Sequence, residues 1–303
     1  MQRATSRFLR AVPQAWVGRR VPVASGSLRA FCTADAEPEV PRKHAEAAHG
    51  DPTMPVTFGD ISAASFRIRG GVPTTPVQWN KRLSREIGNG ISIALKREFE
   101  LPTGSFKERG ALNALLCMTN KQRKSGVIAA SAGNHAAALA YHSGRLGIAC
   151  TVVMPTVAPL NKIQTCEDFG ANVIVQGAHI GEAREVANGI AESTGALYIN
   201  GFDDPAIIAG AGTMGLEIMS QCDGLDALVI PVGGGGLIAG VAAAVKSVHP
   251  DVLIIGAEPE ILPSMSLALQ NGGPVETPVQ GGTLADGLWV PRGMCCKLSG
   301  HVQ

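Results

Sequence analysis

A run of four glycines constrains the local fold more than any other feature of this chain. The run comprises Gly233, Gly234, Gly235 and Gly236. It separates an apolar, strand-like stretch at 227–232 from an apolar, helix-like stretch at 237–248. Glycine lets the backbone approach a ligand closely, and the N–H groups at a helix start attract anions. A flexible connector is the alternative, but the run has no serine-rich flank, so the pattern favours a phosphate-binding loop.

Strand-like runs alternate with helix-like stretches along most of the chain. These runs lie at 91–96, 127–131, 149–154, 172–176, 196–200, 227–232 and 252–257. The alternation is typical of α/β proteins, in which helices cover both faces of parallel sheets. A composition of 45% hydrophobic but only 4% aromatic residues, with 37 glycines, fits many tight strand–helix turns.

A single lysine lies between a turn and a predicted helix. Lys107 follows the turn-forming residues 102–104 and precedes the apolar-rich stretch 111–118. An amine at a helix start that is partly removed from water loses affinity for its proton, and it becomes a nucleophile or a Schiff-base former. From this segment alone, an ordinary solvated lysine remains the alternative.

A second loop carries several small or polar residues at the end of the strand-like run 127–131. They are Ser131, Gly133, Asn134 and His135, and an alanine-rich, helix-like stretch follows them. Asn134 can donate to and accept from a planar ligand, and the N–H groups near Ser131 and Gly133 can bind a carboxylate. A capped helix is the alternative, but a cap explains only one of these residues.

A phosphate loop, an amide-bearing loop and a candidate imine-forming lysine together describe a pyridoxal phosphate site. With these motifs the chain resembles the fold-type II pyridoxal-phosphate enzymes, and most closely the serine/threonine dehydratase branch that includes serine racemase. The order and spacing agree over about residues 60–290. The matching segments include 75–77, 95–98, 103–111, 131–135, 153–155, 202–205, 233–236, 256–259 and 283–288.

The resemblance implies an α/β fold similar to that of the tryptophan synthase β subunit, with two open, twisted, mostly parallel sheets flanked by helices. A large cofactor-binding domain would comprise residues 61–125 and 205–303, and a small inserted domain would comprise 126–204. Related chains continue for several elements beyond the position of Leu288, and one of these elements carries the residue that faces the pyridine nitrogen. The large domain is therefore expected to be truncated at its C-terminus.

The resemblance also implies a role for each residue of the site. Lys107 would hold pyridoxal 5′-phosphate as a Schiff base beside Phe106 and would take the Cα proton from the substrate. Asn134 would hydrogen-bond the pyridine 3′-oxygen, and the four glycines would bind the phosphate. The substrate carboxylate would be bound by Ser131, Gly133, Asn134 and His135. The implied reaction converts L-threonine, L-serine or both to a 2-oxo acid and ammonia.

Two departures from the family pattern affect these expectations. Serine racemase has a second serine next to the position of Ser131, whereas this chain has Ala132, whose methyl group cannot transfer protons. That favours elimination over racemisation. A serine racemase-like enzyme and an inactive truncated homologue remain alternatives.

Glu258 matches a metal-binding glutamate that would hold a divalent or monovalent cation, but Ser264 replaces the second acidic ligand. The alternative is that Glu258 is an exposed glutamate that ends a strand.

A different class of protein also fits part of the pattern. Residues 234–239 satisfy the G-x-G-x-x-A form of the dinucleotide fingerprint, and Glu258 follows about one βαβ unit later. A nicotinamide-binding oxidoreductase is therefore the second candidate. It leaves Lys107 and the 131–135 loop unexplained.

The N-terminal region differs from the rest of the chain. Residues 1–34 contain six of the 26 basic residues and no acidic one, which is typical of an organelle transit peptide, with the mitochondrion preferred over the plastid. Residues 35–60 are expected to be a linker. Residues 35–303 have 20 basic and 25 acidic residues, and the chain has no apolar run of membrane-spanning length, so neither nucleic acid nor a membrane is an expected partner. An amino-acid substrate and a homo-oligomer are expected.

Overall fold

The computed structural model describes residues 56–278, 281 and 283–294. The predicted transit peptide, 1–34, and most of the predicted linker, 35–60, lie outside the described residues. Within the described part of the chain, no helix combines the length and the apolarity needed to cross a membrane.

Helices and strands alternate as the sequence predicts. The described helices are α1 (Phe58–Ile68), α2 (Lys81–Ile87), α3 (Lys107–Cys117), α4 (Asn120–Ser125), α5 (Asn134–Leu146), α6 (Leu160–Asp168), α7 (Ile180–Thr194), α8 (Pro205–Gln221), α9 (Gly236–Val248) and α10 (Ser264–Gln270). The strands are β1 (Val77–Trp79), β2 (Ala94–Lys96), β3 (Val127–Ala130), β4 (Cys150–Met154), β5 (Asn172–Val175), β6 (Leu197–Tyr198), β7 (Ala227–Pro231) and β8 (Leu253–Ala257). Each of the seven predicted strand-like runs contains a strand, and β1 is an additional one.

The four strands between residues 127 and 198 form one parallel sheet in the order β5-β4-β3-β6. Successive side chains of a strand point to opposite faces of the sheet, and here both faces are covered by helices. Val127 and Ala129 pack in the core that includes α5, whereas Ile128 packs in the core that includes Ala183 and Ala187 of α7. Because the strands are parallel, the loop that follows each strand lies at the same edge of the sheet, the C-terminal edge.

A second parallel pair, β7 and β8, packs on α8 and α9. Ile230 and Ile254 are buried in this second core, together with Ile238 and Val241 of α9. The antiparallel pair β1 and β2 lies N-terminal to α3. The short strand β7 thus leads directly into the glycine run, as the sequence predicts.

Three helices that carry the site, α3, α8 and α9, approach each other through glycines. A Cβ atom at Gly210 of α8 would lie 2.5 Å from the carbonyl oxygen of Arg109 in α3. A Cβ atom at Gly240 of α9 would lie 2.3 Å from the carbonyl oxygen of Ile208 in α8. The helix backbones are therefore too close for any side chain at these positions, and this contact fixes the start of α3 relative to the start of α9.

Alanine at Gly240 is expected to destabilise the fold by about 1–3 kcal/mol, because the added methyl group would force α8 and α9 apart. The matched control is Gly189→Ala in α7, where a Cβ atom would meet nothing within 4 Å. Alanine there is expected to stabilise the protein by about 0.4–1 kcal/mol. Urea unfolding of both variants measures the difference. Equal midpoints for the two variants would contradict the close helix contact.

Candidate active site

Lys107 is the first residue of α3, and the turn before it is formed as the sequence predicts. The N–H of Gly104 donates to the carbonyl of Leu101 over 2.7 Å, and Gly104 has a φ of 73°, which glycine adopts at little cost. The Ser105 hydroxyl then accepts the N–H of Lys107 over 3.2 Å. The predicted position of Lys107 in the first turn of a helix is therefore confirmed.

The amine of Lys107 is withdrawn from water. Its Nζ donates to the carbonyl of Gly201 and lies 5.2 Å from the centre of the Phe106 ring. Burial lowers the pKa of the amine to about 8, because the charged form loses hydration. About a tenth of this amine is therefore unprotonated at pH 7 and able to act as a nucleophile.

The four glycines form a closely packed loop between β7 and α9. Gly235 has a φ of 97°, and Gly236 is the first residue of α9. A Cβ atom at Gly234 would lie 2.2 Å from Cγ of Phe202, and one at Gly236 would lie 2.4 Å from the Phe202 carbonyl oxygen. Side chains are thus excluded here. The N–H groups of the first turn of α9 have no carbonyl one turn earlier to bind, so the loop suits an anion.

The second predicted loop lies between β3 and α5. The Ser131 hydroxyl accepts the N–H of Gly133 over 3.3 Å, and α5 begins at Asn134. The loop lies at the C-terminal edge of the four-stranded sheet, where parallel α/β folds bind ligands. The roles predicted for Ser131, Gly133 and Asn134 in binding the substrate and the cofactor stay predictions.

His135 differs from its neighbours in the direction of its side chain. The side chain is only 6% exposed, and Nε2 lies 3.1 Å from the carbonyl oxygen of Ile199, just after β6. Burial, followed by the charge of Lys107, lowers the pKa of His135 to about 4. The ring is therefore neutral at physiological pH, and its Nε2 is already engaged by the protein. The role predicted for His135, as part of the loop that binds the substrate carboxylate, stays a prediction.

Glu258 follows β8 and binds the start of α10. Its two carboxylate oxygens accept the N–H groups of Met265 and Ser266, each over 2.9 Å, and also the Ser266 hydroxyl. Among the described residues, no group of three or more His, Cys, Asp or Glu side chains is arranged to hold a metal ion. Capping accounts for Glu258 without a metal, and the predicted cation site stays a prediction.

One short segment brings Lys107 and the glycine loop together. Gly201 accepts the Lys107 amine through its carbonyl, and the next residue, Phe202, packs against Gly234 and Gly236. Both Phe106 and Phe202 pack against the core formed by β7, β8, α8 and α9. A buried amine and a side-chain-free anion loop, joined by two residues, fit the aldehyde and phosphate of the predicted cofactor.

The sequence analysis missed the role of this segment. Asn200 and Gly201 form a turn dipeptide at the end of the strand-like run 196–200. The same signal, small or polar residues after a strand, identified the 131–135 loop. Applied to residues 200–202, it would have indicated a third loop at the same sheet edge.

Comparisons with known proteins identify the family of the chain. The family model for pyridoxal-phosphate dependent enzymes matches residues 68–298. The L-threonine ammonia-lyase of Thermotoga maritima is 44% identical over 238 residues, which are 78% of this chain and 58% of that protein. The chain thus spans somewhat more than half the length of this curated relative.

Solved structures show the same fold. The processed form of threonine deaminase isoform 2 from Solanum lycopersicum has a TM-score of 0.73 and 36% identity over 80% of this chain and 72% of that chain. Maize serine racemase has a TM-score of 0.74 and 32% identity over 78% of this chain and 71% of that chain. These matches confirm the predicted fold class, fold type II with parallel sheets flanked by helices. The chain belongs to the pyridoxal-phosphate dependent enzyme family.

Proposed function

We propose that the protein is a pyridoxal-phosphate-dependent ammonia-lyase that converts L-threonine, and to a lesser extent L-serine, to a 2-oxo acid and ammonia. The observation that carries this proposal is the buried Lys107 amine, which the 199–202 segment links to the glycine loop. The names of the Thermotoga and tomato relatives support threonine as the substrate.

Each part of the site has a task in this reaction. The N–H groups at the glycine loop and the start of α9 would bind the cofactor phosphate, and Asn134 would orient the pyridine ring. The N–H groups after Ser131 would bind the substrate carboxylate. When bound, pyridoxal phosphate supplies the electron sink for bond breaking at Cα. Phe106 and Phe202 would limit the access of water from the side of the second core.

Lys107 would both hold the cofactor and move a proton. Its unprotonated amine would accept the Cα proton of the substrate, because a pKa near 8 matches a base that works close to neutral pH. The β-hydroxyl would leave as water with the equivalent of the proton taken from Cα, and one molecule of water would then hydrolyse the remaining amine function to ammonia and the 2-oxo acid.

Elimination is favoured over racemisation by the loop after β3. Racemisation needs a second proton-transferring group on the opposite face of the substrate, and Ala132 offers only a methyl group in this loop. Threonine and serine differ by one methyl group, which a pocket distinguishes by only about 1–3 kcal/mol, so both are expected to react.

The glycine loop alone would also suit a dinucleotide. It connects β7 to α9, and α9 leads to β8, which pairs with β7 in parallel, as in a nicotinamide-binding βαβ unit. The family match and the buried Lys107 support pyridoxal phosphate as the cofactor over a dinucleotide. Three expectations from the sequence remain proposals. They are a small inserted domain at 126–204, localisation to an organelle, and assembly into a homo-oligomer.

The full chain, incubated with pyridoxal phosphate, should release ammonia and 2-oxo acid from L-threonine and from L-serine. With each substrate, the amount of ammonia should equal the amount of 2-oxo acid. A dehydrogenase-coupled assay measures the 2-oxo acid, and D-threonine is the control substrate. Borohydride reduction should leave the cofactor on the peptide that contains Lys107. Interconversion of L- and D-serine without ammonia release would instead indicate a racemase, and a label on a different lysine would refute the proposed site.

A further inference from the structure

The 199–202 segment, which follows β6, contacts three parts of the candidate active site. The Gly201 carbonyl accepts the Lys107 amine, and Phe202 packs against Gly234. The Ile199 carbonyl lies 3.1 Å from Nε2 of His135, near the start of α5. The position of this one segment therefore affects the amine, the glycine loop and the loop after β3 together.

The hydrogen bond between His135 and Ile199 fixes the histidine ring. A carbonyl oxygen only accepts, so Nε2 must carry the hydrogen and Nδ1 must be unprotonated. The side chain is 6% exposed, and its Nδ1 has no hydrogen-bond partner in the described protein. The ring is therefore held at one end by the Ile199 carbonyl and is closed in by packing.

The face of the same ring lies directly against Gly201. A Cβ atom at Gly201 would lie 2.7 Å from Cγ of His135 and 2.9 Å from its Cδ2. No side chain fits between them. The ring thus lies close to the residue whose carbonyl binds the Lys107 amine, and it bonds to the carbonyl two residues earlier.

We propose that His135 is a positioning residue for Lys107: its ring holds the 199–202 segment so that the Gly201 carbonyl faces the amine and water stays out. This inference rests on the role of Lys107 in the proposed function. The predicted binding of the substrate carboxylate by the 131–135 loop is a separate prediction, because backbone N–H groups can fulfil it without the His135 ring. A substrate contact would leave the amine unchanged in the substrate-free protein, whereas a positioning contact would not.

The test measures the amine itself. The full chain is first freed of bound cofactor with hydroxylamine, then treated with pyridoxal, which lacks the phosphate, and then with borohydride over a range of pH. The label on the Lys107 peptide is quantified, and each pH profile is normalised to its own plateau. For the wild-type protein the midpoint should lie near pH 8. In His135→Ala, water should reach the amine, and the midpoint should rise by at least about one unit, so that labelling at pH 7 falls about tenfold relative to the plateau.

A conservative variant separates positioning from general destabilisation. His135→Gln retains an N–H group that can reach the Ile199 carbonyl, so it should restore the wild-type profile. His249→Ala changes an exposed histidine and should have no effect. Thermal melting of each variant shows whether the labelled protein is folded.

Gly201→Ala provides a second test that leaves the histidine in place. Its methyl group would press on the His135 ring and displace the 199–202 segment from the amine, so its midpoint should also move away from the wild-type value. A wild-type profile in folded His135→Ala, or in folded Gly201→Ala if the histidine variant does not fold, would overturn the proposal. The labelling test does not depend on ammonia release, so failure of the proposed reaction would leave the labelling profiles unaffected.

Discussion

Replacing Lys107 with alanine is expected to abolish 2-oxo acid release from L-threonine, with a loss of at least about 10³-fold. The expected loss is large because one amine is asked both to hold the cofactor and to accept the Cα proton, and groups with such roles are not replaced by solvent. The dehydrogenase-coupled assay measures the rate. Borohydride labelling of the Lys107 peptide should be lost as well.

Two further variants show which property of the side chain matters. Lys107→Arg keeps the positive charge, but a guanidinium does not lose its proton in proteins, so this variant should be as inactive as alanine. Lys121→Ala changes an exposed lysine of α4 and should retain full activity. Turnover by Lys107→Ala at the wild-type rate would refute the role proposed for this amine.

The sequence predicted those parts of the fold that local patterns determine. Apolar runs of four to six residues, each followed by small or polar residues, became the strands of the two parallel sheets. The turn at 102–104 and the glycine run placed Lys107 and Gly236 at helix starts, as expected. These features depend on neighbouring residues along the chain, so the sequence carries them directly.

Contacts between distant residues could not be predicted in this way. The resemblance implies that the 131–135 loop, which includes His135, binds the substrate carboxylate, but no pattern in the sequence predicts that the His135 side chain bonds to Ile199, 64 residues later. The cation site at Glu258 stays a prediction, and no pattern in the sequence predicts that its carboxylate caps α10. In each case tertiary packing decides the direction of the side chain, and a single sequence carries no signal for that direction.

The most extensive of these distant contacts surrounds Arg109, two residues after Lys107. Its side chain is fully buried, and its guanidinium makes two bidentate pairs. One is with Glu98, over 2.7 and 2.9 Å, and the other is with Glu217 of α8, over 2.7 and 2.9 Å. Lys96 of β2 also donates to Glu217 over 2.6 Å. Two cations and two carboxylates thus balance, and they join β2, α3 and α8 next to the site.

Arg109→Met is expected to lower the free energy of unfolding by about 3–5 kcal/mol, because it leaves a carboxylate partly buried without its counter-charge. Burial by itself opposes ionisation of Glu217, but hydrogen bonds from Arg109 hold its pKa below the usual value. A lowered folded-state pKa stabilises the protein above the unfolded value, near pH 4.5, and this contribution is lost as pH falls through the folded value. The deficit of the variant should therefore be full at pH 7 and should shrink in acid.

Urea unfolding at pH 7 and in acid measures this deficit, and two variants serve as controls. Arg82→Met breaks an exposed pair with Glu86, whose side chains are 83% and 56% exposed, and should cost no more than about 0.5 kcal/mol. Arg109→Met combined with Glu217→Gln removes one charge of each sign and leaves Glu98 and Lys96 to balance, so it should recover part of the loss. If the double variant is less stable than Arg109→Met alone, the cost lies in lost hydrogen bonds and packing, and charge balance is not what holds α3 against α8.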